Sequence, residues 1–499
     1  MERIGKAAGH WIVAATVLGS SLVFIDGTVV SIALPVIQRA FGASTFDAQW
    51  VIEGYTLVLG ALMLLCGALG DRYGRKRIFV IGVVIFGIGS ILCGLAPTMP
   101  ALIAARVFQG VGGTMLAPAS LALLGASFQG ADRGRAIGTW SGLTAVAGAI
   151  GPVVGGAIVD HFGWRWIFFI NIPIAVSVIA IAMRHMRESR DESASGALDI
   201  VGSLLITAAL GGIVYAFVVS GVDGWTTRAI GSLAGALVLL GAFVAVERRI
   251  PNPILPFGLF KSRAFTGINV MTFLLYGALA GMFFFLPFVM ILVDGYSATV
   301  AGFALLPFLA LIVGLSRYSG ALVYREGRRA MLVAGPTVAA VGFAAFATLP
   351  DLHYWSGVFP SVILVGIGMG FTVAPLTTTL IDSVDEHHVG LASGINNAVS
   401  RVAGLLAIAV LGAIIAAAFG ARLEGHMTAA ALSPAQRHEV DAQRSEMAAA
   451  RFHDRLEKRV VDAAYLDGFR VVAAVCALLA AGSAIAAAAT LGQVSAKRP

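Results

Sequence analysis

Asp26, Glu53 and Arg106 stand where charge is expensive. Each lies inside a long apolar run, and a charge at the centre of a bilayer costs ~3 kcal/mol even on the lenient insertion scales, so each is a functional candidate. At a helical rise of 1.5 Å per residue, Asp26 lies ~16 Å from the outer end of its run, Glu53 ~6 Å and Arg106 ~8 Å. All three therefore fall in the outer half. A carboxylate that trades a proton for an organic cation must be desolvated enough to protonate near neutral pH, yet close to a counter-charge that retunes it between conformations. Arg106, with Gln109 one turn on, can supply that charge. If Asp26 pairs with Arg106 in one state and with a proton or substrate in the other, the two ligands compete, which is the least that exchange requires. Each residue also has a plainer reading, an acid satisfied by local polar groups or an arginine that ties helices together.

A second set of residues looks built for movement. Gly67-Ala68-Leu69-Gly70-Asp71-Arg72-Tyr73-Gly74-Arg75-Lys76-Arg77 is a charge-dense turn between two apolar runs. Gly67, Gly70 and Gly74 permit a tight reversal, and Asp71 can accept hydrogen bonds from the exposed amides of a helix start. The expected partner is the helix that begins near Gly390, and breaking that contact would favour inward opening. Simple anchoring by Arg72 and Arg75 would need neither the acid nor the glycines. A weaker copy, Gly320 to Arg329, has Tyr324 where the first has its acid. In the fifth run Gly148, Gly151, Pro152, Gly155 and Gly156 make a small-residue face with an expected helix break: a packing seam, a hinge or a proton-tight gate. Met282 to Phe288, with Phe284 and Phe285 facing substrate, would give an adaptable apolar wall or, as readily, core.

Other chemistry is not signalled. Cys66, Cys93 and Cys476 lie in or beside apolar runs with neither disulfide nor metal spacing. His387 and His388 share a turn without further metal-type neighbours, and there is no phosphate-binding loop. The expectation is no enzyme activity, no metal and no cofactor, with a proton gradient as the energy source. One pH unit is worth about 1.4 kcal/mol per proton, and 100 mV adds about 2.3 kcal/mol per charge.

The elements that must position these residues follow from composition. With 58% hydrophobic and only 12% charged residues, the chain has a bilayer for a solvent. A span needs about 20 apolar residues, and about fourteen runs qualify, from Trp11–Ile37 to Phe469–Leu491. The first reads as a retained span and not a cleaved signal. Positive charge gathers in alternate turns, at Arg72 to Arg77, Arg133 and Arg135, Arg184 to Arg190, Arg248 to Arg263 and Arg325 to Arg329, which makes that side cytoplasmic. An even number of spans then places both termini, with Arg3, Lys6, Lys497 and Arg498, in the cytoplasm of a cell whose inner or plasma membrane holds the protein. This clustering in turns also accounts for the net charge of +7 without nucleic acid.

Repeats set the architecture. Besides the basic turn, Val111 through Pro118 is echoed by Gly366 through Pro375, and Asp132 through Gly142 by Glu386 through Gly394. The expectation is an all-α polytopic membrane protein with a six-helix bundle over 1–190, two inserted helices over 191–262 and a second six-helix bundle over 263–499. Parallel repeats of this kind put the substrate path between the halves, near the midplane. An outer loop over 420–467 interrupts the second bundle. In it Ser433, Pro434 and Gln436 predict the start of a surface helix reaching about Arg459, either a lid or a docking site for a periplasmic partner.

At these residues the chain resembles the major facilitator superfamily, and within it the fourteen-helix drug:proton antiporters of the QacA/EmrB-like group. The cytoplasmic motif is matched by Gly67 to Arg77, the fourth-helix motif by Arg106, Gln109, Gly110 and Gly112, the antiporter motif by Gly148, Gly151, Pro152, Gly155 and Gly156, and the first-helix motif by Asp26 to Val30 with Ala33, Leu34 and Pro35. The resemblance implies the major facilitator fold, Asp26 as proton carrier and fifth-helix glycines that favour exchange over symport. Relatives often carry a hydrogen-bonding residue near Ile291 and, in the second basic turn, an acid where this chain has Tyr324. The expected function is proton-coupled multidrug efflux of amphipathic, cationic small molecules by alternating access. Its rivals are a dedicated exporter or importer of one metabolite, such as a sugar, siderophore or antibiotic, and a nontransporting subunit that recruits a partner.

Overall fold

The computed structural model describes residues 6–190, 199–250, 253, 255–349, 353–385 and 389–491. Arg3, His387, His388, Lys497, Arg498 and the boundary at 190–191 thus lie at or outside the limits of the described residues. In the first half, α1 (Lys6–Phe41), α2 (Thr45–Tyr73), α3 (Arg75–Leu95), α4 (Met99–Ser127) and α5 (Gly130–Phe162) are followed by a single turn, α6 (Trp166–Phe169), and α7 (Asn171–His185). Next come α8 (Ile200–Asp223) and α9 (Thr227–Glu247), packed on each other. The second half holds α10 (Arg263–Phe288), α11 (Ala298–Ala304) leading into α12 (Leu306–Glu326), α13 (Arg328–Thr348), α14 (Phe359–Asp382), α15 (Val389–Ala429), the short α16 (Pro434–Ala442) and α17 (Arg455–Thr490). Thirteen described helices are long and apolar enough to cross a bilayer, and α2, bent by 54° after Met63, makes a fourteenth.

Helices are the form such a chain must take, because lipid offers no partner for a free backbone amide or carbonyl. Where the chain leaves the apolar phase, side chains cap the exposed amides: Ser44 and Asp47 form a capping box on α2, Thr98 caps α4 and Ser262 caps α10. Both basic turns pivot on a glycine with positive φ, 111° at Gly74 and 87° at Gly327, which a side chain would strain. The start of α3 is closed from within its own half, since the Lys76 and Arg77 amides donate to the Glu188 carboxylate at 3.0 Å.

Two expectations are revised. The fifth helix has no break: α5 runs through Pro152, and its glycines form a seam. A Cβ on Gly155 would come within 2.7 Å of Val29 Cγ1, one on Gly151 would overlap Thr28, and one on Gly156 the Ala298 carbonyl. So α5 is wedged between α1 of its own half and α11 of the other. The outer segment is also shorter than 420–467, because α15 and α17 continue past the apolar phase and leave 430–454 between them. The capping box of Ser433 and Gln436 forms, but α16 stops at Ala442. There Gln443 turns the chain by donating to the Arg451 carbonyl and accepting from the Arg451 amide, both at 2.9 Å. The segment rests on its own chain: Gln38 Nε2 donates to Glu446 O at 3.1 Å, and Arg451 Nη2 to Arg39 O at 3.0 Å.

The halves meet mainly at one end, called distal here, opposite the end of the basic turns. Distally a single apolar core takes in both halves, from Val29 and Ile37 of α1 to Phe285 of α10 and Phe469 of α17. Toward the basic end it divides into two separate clusters, one around Phe79, Phe86 and Leu116, the other around Phe265, Leu332 and Leu376. The bundle is closed distally and parted at the basic end.

Candidate functional site

Close packing of α3 on α4 brings the polar groups of the first half to one point. Gly89 of α3 has no Cβ because one would lie 2.6 Å from the Cα of Gln109, and Gly112 of α4 presses as tightly on Phe86. Gln109 is thereby driven into the bundle centre. There Arg106 Nη1 lies 2.5 Å from Asp26 Oδ2, with both side chains essentially inaccessible. The same nitrogen donates to Gln109 Oε1 at 2.6 Å, Gln109 Nε2 donates to Asp26 Oδ1 at 2.9 Å, and Asn171 Nδ2 to that oxygen at 3.3 Å. Ser90 Oγ receives Gln109 at 2.9 Å and Asn171 at 3.3 Å. Arg106 is held further by Nε donating to the Val51 carbonyl at 3.1 Å, and by the Tyr55 ring, 4.1 Å from its guanidinium carbon.

This is a charge pair in which both carboxylate oxygens and the Nε and Nη1 nitrogens of the guanidinium are hydrogen-bonded, the kind of geometry that makes a buried pair tolerable. Removing the negative charge from Asp26 would leave Arg106 buried without a counter-ion, at a cost of ~3–5 kcal/mol. Loss of either charge would therefore force the cluster to rearrange.

Glu53 takes no part in it. The side chain is fully buried, and neither oxygen has a hydrogen-bond partner among the described residues. Gln49, one turn away on α2, reaches across to the second half and donates to the Ile408 carbonyl at 3.3 Å.

Between the halves lies a cavity of about 390 Å³, lined by Thr28 and Ser31 of α1, Ile52 of α2, Gly148 and Pro152 of α5, Tyr276, Phe283 and Phe284 of α10, Phe308 of α12 and Ser400 of α15. Phe284 is on its wall, whereas Phe285 turns into the core. Asp26, Glu53 and Gln109 are enclosed behind the wall. Its neighbouring α5 seam is latched distally, where Asp160 accepts from the amides of Ala298 and Thr299 at 3.2 and 2.7 Å and from Thr299 Oγ1 at 2.5 Å, capping the start of α11. At the basic end Asp71 pairs with Arg75 across the turn at 2.7 Å, and the start of α15 where its partner was expected adjoins 386–388, outside the described residues.

Sequence reasoning missed several of these residues. Asn171 and Tyr55 carried a signal, a polar side chain within an apolar run, as did Arg401, which packs beside Gly60 of α2. Asp160 carried none, since it reads as the polar end of a span.

Two helical bundles around a shared cavity, with a buried ion pair in one of them, define a polytopic membrane transporter. The chain belongs to the Major Facilitator Superfamily, which residues 16–408 match. It is 35% identical over 427 residues to the multidrug resistance protein Stp of Mycobacterium tuberculosis (strain CDC 1551 / Oshkosh), covering 85% of this chain and 79% of that one. It is 31% identical over 407 residues to the tetracenomycin C resistance and export protein of Streptomyces glaucescens, covering 81% and 76%. Among solved structures, the bacterial homologue of the human lysosomal transporter Spinster, inward-facing and unoccupied, superposes with a TM-score of 0.69 over 99% of this chain and 100% of that one at 17% identity, a likeness of fold.

Proposed function

We propose that the protein exports amphipathic, cationic small molecules across the inner or plasma membrane in exchange for protons, by alternating access. The observation that carries this is the buried Asp26–Arg106 pair beside an apolar cavity. A proton falling through one pH unit and 100 mV delivers roughly 3.7 kcal/mol, comparable with the ~3–5 kcal/mol at stake when a buried pair is broken. Protonation of Asp26 is thus of the right size to move the cluster from one arrangement to another.

The basic end is cytoplasmic by its arginines, so the conformation described is parted toward the cytoplasm. A substrate enters there and settles against Tyr276, Phe283, Phe284 and Phe308. These aromatic faces suit a flat or lipophilic cation. A sugar would require many more polar groups than Thr28, Ser31, Tyr276 and Ser400 offer, which weighs against that rival. Rearrangement opens the distal end, the substrate leaves, and a proton on Asp26 accompanies the return. The names of the two relatives, resistance in one and export in the other, support this direction and a drug-like substrate.

The test is export into everted vesicles energised by respiration. Asp26→Asn should abolish proton-driven accumulation of a lipophilic cation such as ethidium at normal protein levels. Wild-type-like, pH-dependent accumulation in that variant would remove Asp26 from the mechanism.

A further inference from the structure

Glu53 has no role in the exchange just described, yet its surroundings are those of a working group. We infer that Glu53 is a second proton-binding site, held behind the cavity wall, and that the inserted helix α8 is the cover that seals it. As a part of the transport cycle this rests on the proton-coupled reading; the enclosure stands on geometry alone.

The side chain is 0% exposed, so protein covers it on every side. Positions 46, 50, 53 and 57 share one face of α2 by helical spacing. Both ends of that face rest on α8: the Phe46 ring fills the space beside Gly221, and Leu57 Cδ2 lies 3.3 Å from where a Cβ on Gly211 would be. The pairing is antiparallel, so by register position 53 of α2 falls opposite the stretch of α8 between them, where Val214 and Val218 are buried. On its other flank α15 closes the space through Gln49 and Ile408 and through Gly60 and Arg401. The adjacent Ile52 lines the cavity. Substrate thus sits in front of the wall and Glu53 one residue behind it.

Among the described residues no group supplies Glu53 with a counter-charge. On α4 Arg106 is committed to Asp26, Gln109 and the Val51 carbonyl, and on α1 Asp26 is engaged in return. On α15 Arg401 lies beside Gly60, two turns of α2 toward the basic end. On α8 the titratable side chains are Tyr215, which is exposed, and Asp223 at the distal end. On α2 itself Tyr55 packs under Arg106. An anion enclosed without donor or counter-ion is the costly state and a neutral carboxyl the tolerable one. For the proton to leave, the seam between α2, α8 and α15 must open. Because α8 touches a helix of each half, any rocking of the halves would strain its packing. The inserted pair then does more than fill the membrane: it decides when this proton meets water.

The full-length protein in proteoliposomes can be treated with dicyclohexylcarbodiimide, which modifies protonated carboxyl groups in apolar surroundings, and the Glu53 peptide followed by mass spectrometry. In the wild type the rate should fall by about tenfold per pH unit above the titration of the group. Gly221→Val, which forces α8 off Phe46, and Val214→Asn, which sets a donor opposite the carboxyl, should each slow it severalfold. Gly235→Val on the open face of α9, where nothing lies within 4 Å, should not. Glu53→Gln should lose the adduct and the pH dependence of export that remains beyond Asp26. An unmodified Glu53, a pH-independent rate, or equal rates in the two α8 variants and the wild type would overturn the inference. If labelling behaves as expected but the wild type moves no cation, the transport reading fails and the sealed site stands; proton-driven export undiminished in Glu53→Gln would do the reverse.

Discussion

Two aspartates, Asp160 and Asp71, sit at opposite ends of the molecule, and they do opposite things. Asp160, at the distal end of α5, reaches into the other half and caps the first amides of α11. Asp71, at the basic end of α2, folds back on Arg75 of its own half. The sequence suggested a carboxylate-to-helix-start latch between the halves at the basic turn, where the start of α15 adjoins residues outside the described ones; among the described residues Asp160 makes a latch of that kind between the halves at the other end. In the proposed cycle one end closes as the other opens, and this asymmetry, with the core shared distally and divided at the basic end, corresponds to one of those two states.

The comparison can be broken most forcefully at the α5 seam. Gly156→Val would drive a side chain into the Ala298 carbonyl, so the distal end could not close. Export should fall more than about tenfold, since a wedge of that kind costs on the order of 1–3 kcal/mol or more. Spin labels at Gln129 and Ser383, on the two halves at the basic end, should move closer together, and an unchanged distance would refute the seam's role. Asp160→Ala removes a cap worth about 1 kcal/mol, so the same labels should report a roughly fivefold shift in population. Asp71→Asn touches a half-exposed i,i+4 pair worth only ~0.3–0.5 kcal/mol in this state. It should leave the labels in place while slowing turnover, if Asp71 engages the second half only when the basic end closes; a shift as large as that of Asp160→Ala would erase the asymmetry. Smallest of all, Arg451→Ala loosens one exposed hydrogen bond of the outer segment and should change export in intact cells by less than about twofold. A complete loss there would point to a docking role for the outer segment.

How much of this was legible in the sequence depends on the kind of force involved. The spans were, because desolvation acts on every residue of a run and leaves a long signal. Their ends were not: α15 and α17 continue as helices beyond the hydrocarbon, where hydropathy no longer reports on backbone hydrogen bonding. Asp26 and Arg106 announced themselves as charges in apolar runs, and Gln109 followed from helical spacing. Asn171, 145 residues from Asp26, joins them only through the packing of α7 on α1 and α3. Glu53 looked like a third member, but its place on α2 turns it toward α8 and α15, a matter of helix rotation that depth along the span cannot reveal. The Pro152 glycines read as a break and are instead a contact surface, since tolerance of proline in lipid depends on neighbours that the sequence does not name.

The central claim is that substrate and proton compete through Asp26. Binding linkage makes that reciprocal, so the affinity of purified protein for tetraphenylphosphonium, measured across pH by calorimetry, tests it most directly. The account predicts that the wild-type affinity weakens as pH falls, by up to about tenfold per unit, with protons released on binding. In Asp26→Asn that pH dependence should shrink to what Glu53 contributes. An affinity that does not vary with pH in the wild type, or varies identically in Asp26→Asn, would contradict it.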